Sequence, residues 1–529
     1  MALGAGYRVS TTWGSPMSML GNVVILLLIG VGCGALHRIY FHPLAKQPGP
    51  LLARLSSIPN WYHAKKGDRH VWLYRLHTEY GSVVRFTPNS LSFNTVTAMD
   101  SIYKSRKANL IKSDWYQCVR DSAGKFESTF TARQKTRHAV KRRLLSHAFS
   151  DKALKDYEPR ICALIDKWVE AIDAEAKYDQ GMVDLGQWSG YLIFDVLGDL
   201  GFGNAFGFMA NQVDRSLIGL VAKATGVWYS IGYHPFTKWV RYILFETRFG
   251  HLVGARTIED NSRFRSFCME KLMKRRKSQV MTEGIFGKEV KDDMFGHLLA
   301  GRDPETGEAY TVGDLACESV LLMVAGSQST AGGLAATFFY LSHYPNKLAR
   351  LRKELHCAFA SEAAIRYDPA GTLATLPFLR ACINESLRLS PPTPGHLPRE
   401  IVGDDGMVID GWWLPPGTNV GVSPYTIHHN AQYFRDPFDF QPERWLTDKE
   451  DDGAEQLASA FAPFSAGMTG CIGRQLAMME LCLTVARFLW RFDLRVQPGS
   501  ATLPIEYELK DSFIGEGSGP RVQLIPCSP

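Results

Sequence analysis

One cysteine of this 529-residue chain stands where metal chemistry is possible. It is Cys471, in the run Phe464-Ser-Ala-Gly467-Met-Thr-Gly-Cys471-Ile-Gly473-Arg474. Glycines at 467, 470 and 473 let the backbone turn tightly and approach a flat group closely. The stretch that follows, QLAMMELCLTVARFLW, has a helical pattern, so Cys471 lies at a helix mouth. Free N–H groups and the helix dipole favour an anionic sulfur there, and backbone donors beside a thiolate tune the metal it binds. A second stretch, Ala325-Gly-Ser-Gln328-Ser329-Thr330, brings hydroxyls able to relay protons. Gln328 beside them can hold a water but cannot ionise.

These residues need elements to position them. The pattern predicts one long helix from Thr311 to Tyr344, with Thr311 and Asp314 as a capping arrangement and Pro345 as the stop. Its centre holds three glycines, each costing about 1 kcal/mol in a helix interior. Small residues there fit either close helix packing or a large flat ligand lying against a locally widened helix. Glu385 and Arg388 are one turn apart and so share a helix face. Taken alone this is an exposed pair of little worth; buried, with Arg444 as third member, it reads as a structural network bracing the cysteine loop. Strands are expected at Ser82–Phe86, Leu91–Asn94, Val408–Leu414 and Arg521–Ile525, and a solvated acidic loop at Asp448–Glu455. No internal repeat or Gly/Ser linker interrupts the body. The fold class is mainly α (α+β), a helical body with small β-sheets.

The net charge of +6 is too mild to argue for nucleic acid. Ten scattered cysteines without a CxxC pair indicate neither a zinc ribbon nor a disulfide framework. From Val9 to His37 there is no charged residue, and Met19–Leu36 is almost continuously apolar, the length of one transmembrane helix. The run starts late and is followed by Arg38, Lys46, Arg54, Lys65 and Lys66, which favours an uncleaved anchor with the body on the cytosolic side. The expected division is an N-terminal membrane anchor over 1–40 and a single body over 41–529. Residues 41–50, with Pro43, Pro48 and Pro50, form a stiff, extended neck.

FSAGMTGCIG resembles the haem-binding loop of the cytochrome P450 superfamily, and other motifs agree in order. Glu385-Ser-Leu-Arg388 is similar to its E-x-x-R helix, Pro442-Glu-Arg444-Trp to its P-E-R-F element, and Ala325–Thr330 to its oxygen-binding groove. His138-Ala-Val-Lys-Arg142 corresponds to the helix that reaches a haem propionate. The resemblance covers nearly the whole chain and is strongest to fungal secondary-metabolism members. It implies a b-type haem (heme b) with Cys471 as axial iron ligand, in a pocket to which Phe464, Gly467, Gly473, His138, Arg142 and Arg399 contribute.

It further implies activation of O2 near Ser329, Gln328 and Thr330, with electrons from NADPH through NADPH-cytochrome P450 reductase and cytochrome b5 as a further donor. The substrate is expected to be a small lipophilic molecule in a pocket lined by Thr393–Leu397, the segment near Trp115, the middle of 205–255, and Phe513. The location implied is the endoplasmic reticulum membrane, single-pass. Two departures stand out. Gln328 and Ser329 replace the family's acid and threonine, leaving room for a rearrangement or dehydration without oxygen insertion, or for a silent membrane haem protein. Thr469 stands where many relatives carry an arginine that holds a propionate. The basic run Arg133–Arg143 would present an outer side to an acidic redox partner or to lipid.

Overall fold

The computed structural model describes residues 16–106, 108–119, 126–178, 181–210, 215–247, 255–286, 293–368, 371–446, 452–496 and 506–527. The first helix, α1 (Pro16–Leu36), is mainly apolar and carries no charged residue. It opens a 22-residue stretch, Leu20–Phe41, of mean hydropathy 2.0 that buries none of itself against the body. Twenty-one residues at the usual rise give about 31 Å, the thickness of a bilayer's hydrocarbon. The expected charge-free residues before Pro16 lie outside the described residues.

The neck is folded, not extended. His37–Phe41 continues α1 as one π-helical turn, and a tight turn follows in which the Ala45 amide donates to His42 O. Arg85, fully buried, causes this: its guanidinium donates to the carbonyls of Arg38, Leu44 and Pro88. Arg54 adds bonds to Ile39 O and Ala45 O, and Leu44 is buried beneath. Prolines stop a long helix here, but buried donors, not chain stiffness, set the path.

Twelve short strands form four sheets among the described residues. The largest contains β1 (Val83–Thr87), β2 (Ser90–Phe93), β3 (Leu110–Lys112), β5 (Arg399–Ile401) and β8 (Asn419–Val422), in the order β1-β2-β8-β5-β3. A three-stranded sheet joins β4 (Met182–Asp184), β9 (Phe492–Arg495) and β12 (Arg521–Pro526). The remaining pairs are the hairpins β6 (Met407–Ile409) with β7 (Trp412–Leu414), and β10 (Lys510–Ser512) with β11 (Ile514–Glu516). The single strand expected at Val408–Leu414 is therefore two. Asp410 and Gly411 take φ of 49° and 77°, the left-handed pair a two-residue hairpin turn requires.

The helices that position the site are α2 (Ile58–Lys66), α3 (Arg69–Tyr80), α4 (Lys135–Ser146), α5 (Asp151–Tyr178), α6 (Leu185–Phe202), α7 (Ser216–Tyr233), α8 (Ala255–Phe286), α9 (Val312–His343), α10 (Pro377–Leu389) and α11 (Arg474–Arg491). Helix α9 runs the span read from sequence, with Thr311 and Asp314 forming a reciprocal capping box. It is α-helical throughout, without the widening considered above. Two of its glycines serve packing: a Cβ on Gly326 would sit 2.9 Å from Leu197 of α6, and one on Gly333 3.3 Å from Leu387 of α10. Helices α5, α6, α9, α10 and α11 share the main hydrophobic core, and a second core lies under the five-stranded sheet. The acidic stretch is not all loop, since Asp452–Ala460 is helical; residues 448–451 lie outside the described set.

Candidate active site

A cavity of about 640 Å³ lies between the cysteine loop and α9. The loop's shape depends on Gly467. It takes φ of 66°, and a Cβ there would stand 1.9 Å from the Tyr103 carbonyl oxygen. Gly470 and Gly473 have negative φ values of −61° and −81° that any residue adopts, so the turn itself demands glycine only at 467. Two amides close the loop: Gly470 N donates to Gly467 O at 3.0 Å, and Cys471 N donates to Phe464 O at 2.8 Å. Gly473 is the N-cap of α11, which places Cys471 at the helix mouth.

Cys471 is open toward the cavity, and so are Phe464, Gly467's neighbour Ala466, and Gly473. The protein packed around the thiol raises its pKa, while the Gly473 N–H and the charges of Arg142 and Arg474 favour the thiolate. Gly467 itself is held against Tyr103 and does not face the cavity.

The bracing network read from sequence is assembled. Arg388 donates to both oxygens of Glu385 at 2.9 Å, Arg444 donates to Oε1 at 3.0 Å, and Trp445 Nε1 donates to Oε2 at 2.9 Å. Arg388 also reaches the carbonyls of His428, Pro437 and Asp439, so this buried pair is fully hydrogen-bonded. His428 carries the network to the loop: its Nε2 accepts from Ala462 N at 3.0 Å, two residues before Phe464.

Across the cavity floor from the thiol, His138, Arg142 and Arg399 come together. Arg142 donates to Gly470 O at 2.7 Å, and Arg399 donates to Tyr116 Oη at 2.9 Å and Thr469 Oγ1 at 2.8 Å. His138 is held neutral: burial first, then the positive Lys112, Arg142 and Arg399, push its pKa down to about 3. Sequence reasoning missed Lys112, which is buried in the same group and lines the cavity. Among the described residues, none of Lys112, Arg142 and Arg399 hydrogen-bonds a carboxylate. Cations that converge on an apolar cavity with no carboxylate hydrogen-bonded to them fit a ligand with its own acidic groups. A haem, with a thiolate on its iron and two carboxylates at its edge, fits these residues.

On the opposite wall, Ser329 faces the cavity while its hydroxyl donates back to Ala325 O at 2.5 Å. Thr330 also lines it, but Gln328 does not, and Gln328 Oε1 is buried without a donor among the described residues. A second missed residue lies behind Thr330. Glu480 of α11 is buried, lines the cavity and hydrogen-bonds Thr330, with Oε1 unpartnered among the described residues. Burial pushes its pKa up to about 8, so it holds its proton at neutral pH. The signal was available: an acid in the otherwise apolar face of QLAMMELCLTVARFLW.

The pocket segments expected from sequence meet at the far end. Thr393, Leu397, Trp115, Phe513 and the α7 residues Thr225, Trp228 and Tyr229 all line the cavity. Phe513, at φ of 80° in the β10–β11 turn, stands 5.3 Å from the rings of Trp115 and Phe130.

Most of the basic run is paired within the chain; among the described residues Lys135 is the exposed exception, its ammonium donating to Ala108 O. Arg133 pairs with Asp114 and Glu400, Arg137 with Glu308 and Asp314, and Arg143 with Asp303 and Glu305. Lys141 is buried against Asp314 at 2.6 Å. The acids that neutralise the helix come from distant segments of the same chain.

Comparison with known proteins agrees with this geometry. The sequence model named Cytochrome P450 matches residues 47–516. The cytochrome P450 monooxygenase poxM of Penicillium oxalicum is 34% identical over 521 residues, covering 96% of each chain. The cytochrome P450 monooxygenase fscF of Fusarium equiseti is 34% identical over 91% of this chain and 90% of its own. AKT7 of Alternaria alternata, another cytochrome P450 monooxygenase, is 34% identical over 90% of this chain and 89% of its own. A cysteine loop braced by a buried Glu-Arg-Arg network, under one long capped helix and matched over most of the chain, places this protein in the cytochrome P450 family.

Proposed function

We propose that the chain is a haem-thiolate monooxygenase that inserts oxygen from O2 into a small lipophilic molecule of fungal secondary metabolism, using electrons relayed from NADPH by a separate reductase. Residues 1–40 would anchor it in the endoplasmic reticulum membrane, and 41–529 would form the catalytic body on the cytosolic side. The observation that carries this reading is the Cys471 thiol opening into a largely apolar cavity that Thr330 and the buried acid Glu480 also line.

When bound, a b-type haem would supply oxygen activation, which a thiolate ligand promotes by donating electron density. Cys471 would hold its iron, and Arg142, Arg399 and neutral His138 would hold its carboxylates. The chain's own part is then positioning and proton supply. Glu480 keeps a proton at neutral pH beside the Thr330 hydroxyl, which opens to the cavity. Thr330 would pass its proton toward the cavity and take one from Glu480, which is left as the carboxylate until it is reprotonated. Gln328 is outside this route. The aromatic wall at Trp115, Tyr229 and Phe513 excludes water and orients an apolar substrate.

The carbon monoxide difference spectrum of the reduced protein in membranes tests the centre. A far-red-shifted Soret band supports thiolate ligation, and its absence in haem-replete protein sinks it. Isotope-labelled molecular oxygen tests the reaction: label in the product supports insertion, and unlabelled product shows rearrangement or dehydration instead.

A further inference from the structure

Asp511 of β10 is fully buried, and its two oxygens serve two different parts of the cavity wall. Oδ2 accepts from Tyr229 Oη of α7 at 2.9 Å, and Oδ1 accepts from the Phe513 amide at 3.2 Å. Both aromatic residues line the far end of the cavity, their ring centres 6.5 Å apart. An aspartate that accepts from the amide two residues on holds a tight turn. Here the turn carries Phe513 at φ of 80°, a conformation that a bulky side chain rarely adopts unaided.

The charge of Asp511 is balanced by Arg69 at the start of α3, also fully buried. Arg69 donates to Tyr229 Oη at 3.2 Å and to Asn60 Oδ1 at 2.7 Å, and meets His396 Nδ1 at 3.1 Å. The Tyr229 hydroxyl therefore stands between the two charges, accepting from one and donating to the other. Burial favours the neutral form of His70 and His396 beside them. Gly395 allows this approach, since a Cβ there would stand 3.1 Å from both Asp511 Oδ2 and Tyr229 Oη. A buried ion pair adds little net stability over apolar packing. What this one adds is register between α7, the β10–β11 turn and the segment 393–397, three separate parts of one wall.

A phenol has one proton to give. With that proton on Asp511, and Arg69 donating to its oxygen, Tyr229 offers a bound molecule its ring and no donor. Phe513 offers a ring alone. The Trp115 indole N–H abuts α7, where a Cβ on Gly232 would stand 2.5 Å from Nε1. We propose that Asp511 is a positioning residue for substrate selection: it fixes Tyr229 and Phe513 in register and withdraws the tyrosine proton, so the cavity selects molecules whose end remote from Cys471 is flat and apolar. This rests on the haem-thiolate reading above.

The test uses the full-length, haem-loaded protein and three probes read by the haem's spectral shift: imidazole, a biphenylyl imidazole, and the same compound with a hydroxyl at its outer end. In the parent the outer hydroxyl should weaken binding about tenfold, as a buried hydroxyl without a partner implies. Equal affinity for the two would overturn the proposal. Asp511→Asn keeps the shape. Its amide oxygen must take the Phe513 N–H, so its NH2 donates to Tyr229 Oη and the tyrosine proton is released. The hydroxyl penalty should then shrink to about twofold or less, as one regained hydrogen bond implies. Tyr229→Phe keeps the ring but has no proton to release, so the penalty should stay at about tenfold, with or without D511N. Its affinity for the biphenylyl imidazole should fall about fivefold through loss of the tether. Imidazole itself should bind every variant equally. A folded, haem-loaded D511N protein that keeps the full penalty would show a purely structural aspartate and overturn the proposal. So would a Y229F protein that binds the biphenylyl imidazole as the parent does, and this arm decides if D511N does not fold. Failure of the haem-thiolate reading would appear separately, as loss of the thiolate-type carbon monoxide spectrum in the unaltered protein.

Discussion

His428 links the Arg388 backbone to the cysteine loop: its Nδ1 faces the Arg388 carbonyl at 3.1 Å and its Nε2 accepts the Ala462 amide at 3.0 Å. This pairing requires a neutral ring, with the proton on Nδ1 donated to Arg388 O. Burial, reinforced by the nearby Arg388 charge, enforces it by pushing the pKa down to about 3.

His428→Phe removes both bonds and leaves the buried Ala462 N–H unpaired. The cost is about 1–3 kcal/mol at pH 7, read from urea or thermal unfolding. Acid sensitivity should fall at the same time. In the parent, the unfolded chain takes up a proton below its ordinary histidine value of 6.5 that the folded ring refuses until about 3. Stability from this group is therefore full above 6.5 and lost as pH drops toward 3, and the variant should show a shallower decline across that window.

Gly467→Ala should abolish haem retention, because its Cβ would meet the Tyr103 carbonyl oxygen at 1.9 Å and cannot relax at φ of 66°. Gly470→Ala is the comparison. Its Cβ would come no nearer than 3.2 Å to the Gly467 oxygen, so a folded, haem-loaded protein with a modest loss of stability is expected. Haem-to-protein ratio after purification distinguishes the two.

Glu480→Gln keeps the shape and removes the acid. Turnover should fall about a hundredfold, the lower end for loss of a general acid, with electron flow diverted from product. Gln328→Ala, away from the cavity wall, should change product per NADPH less than about twofold, within the range of a surface-type substitution. Unfolding provides an independent check. Since Glu480 is raised from 4.5 to about 8, its contribution to stability is complete below 4.5 and lost as pH rises through 8. E480Q carries no such loss, so its melting temperature should gain on the parent's between pH 5 and 8.

Phe513→Ala opens the aromatic end of the cavity and removes ring contacts with Trp115 and Phe130. Affinity for a bulky triarylmethyl imidazole, titrated by its spectral shift, should weaken up to about tenfold, as loss of an aromatic pair implies. Affinity for imidazole itself should stay unchanged.

What the sequence made legible was local. Helix α9 was read to within a residue because Thr311, Asp314 and Pro345 are signals that act on their own neighbours. The E-x-x-R helix and the cysteine loop were readable because residue type and spacing carry them. Pairings across hundreds of residues were not. Nothing near Lys112 announces Arg399 as its partner, and nothing near Arg143 announces Asp303. Glu480 was passed over as one polar position in a helical pattern, and its burial appears only once α9 lies against α11. The Asp410-Gly411 turn was a signal within reach, lost because the flanking apolar residues read as one continuous strand.

Arg85 and Arg54 bind the carbonyls of residues 38, 39, 44 and 45, so the connection between α1 and the body is not a hinge. A rigid joint transmits torque. An apolar helix tilts when the surrounding hydrocarbon is thinner than its length. With α1 seated in a membrane as proposed, a lashed neck would turn that tilt into a rotation of the body and of the direction in which the cavity faces. Under that proposal bilayer thickness would be a mechanical variable of substrate entry, and replacing Arg85 would uncouple the two without touching a residue of the cavity wall.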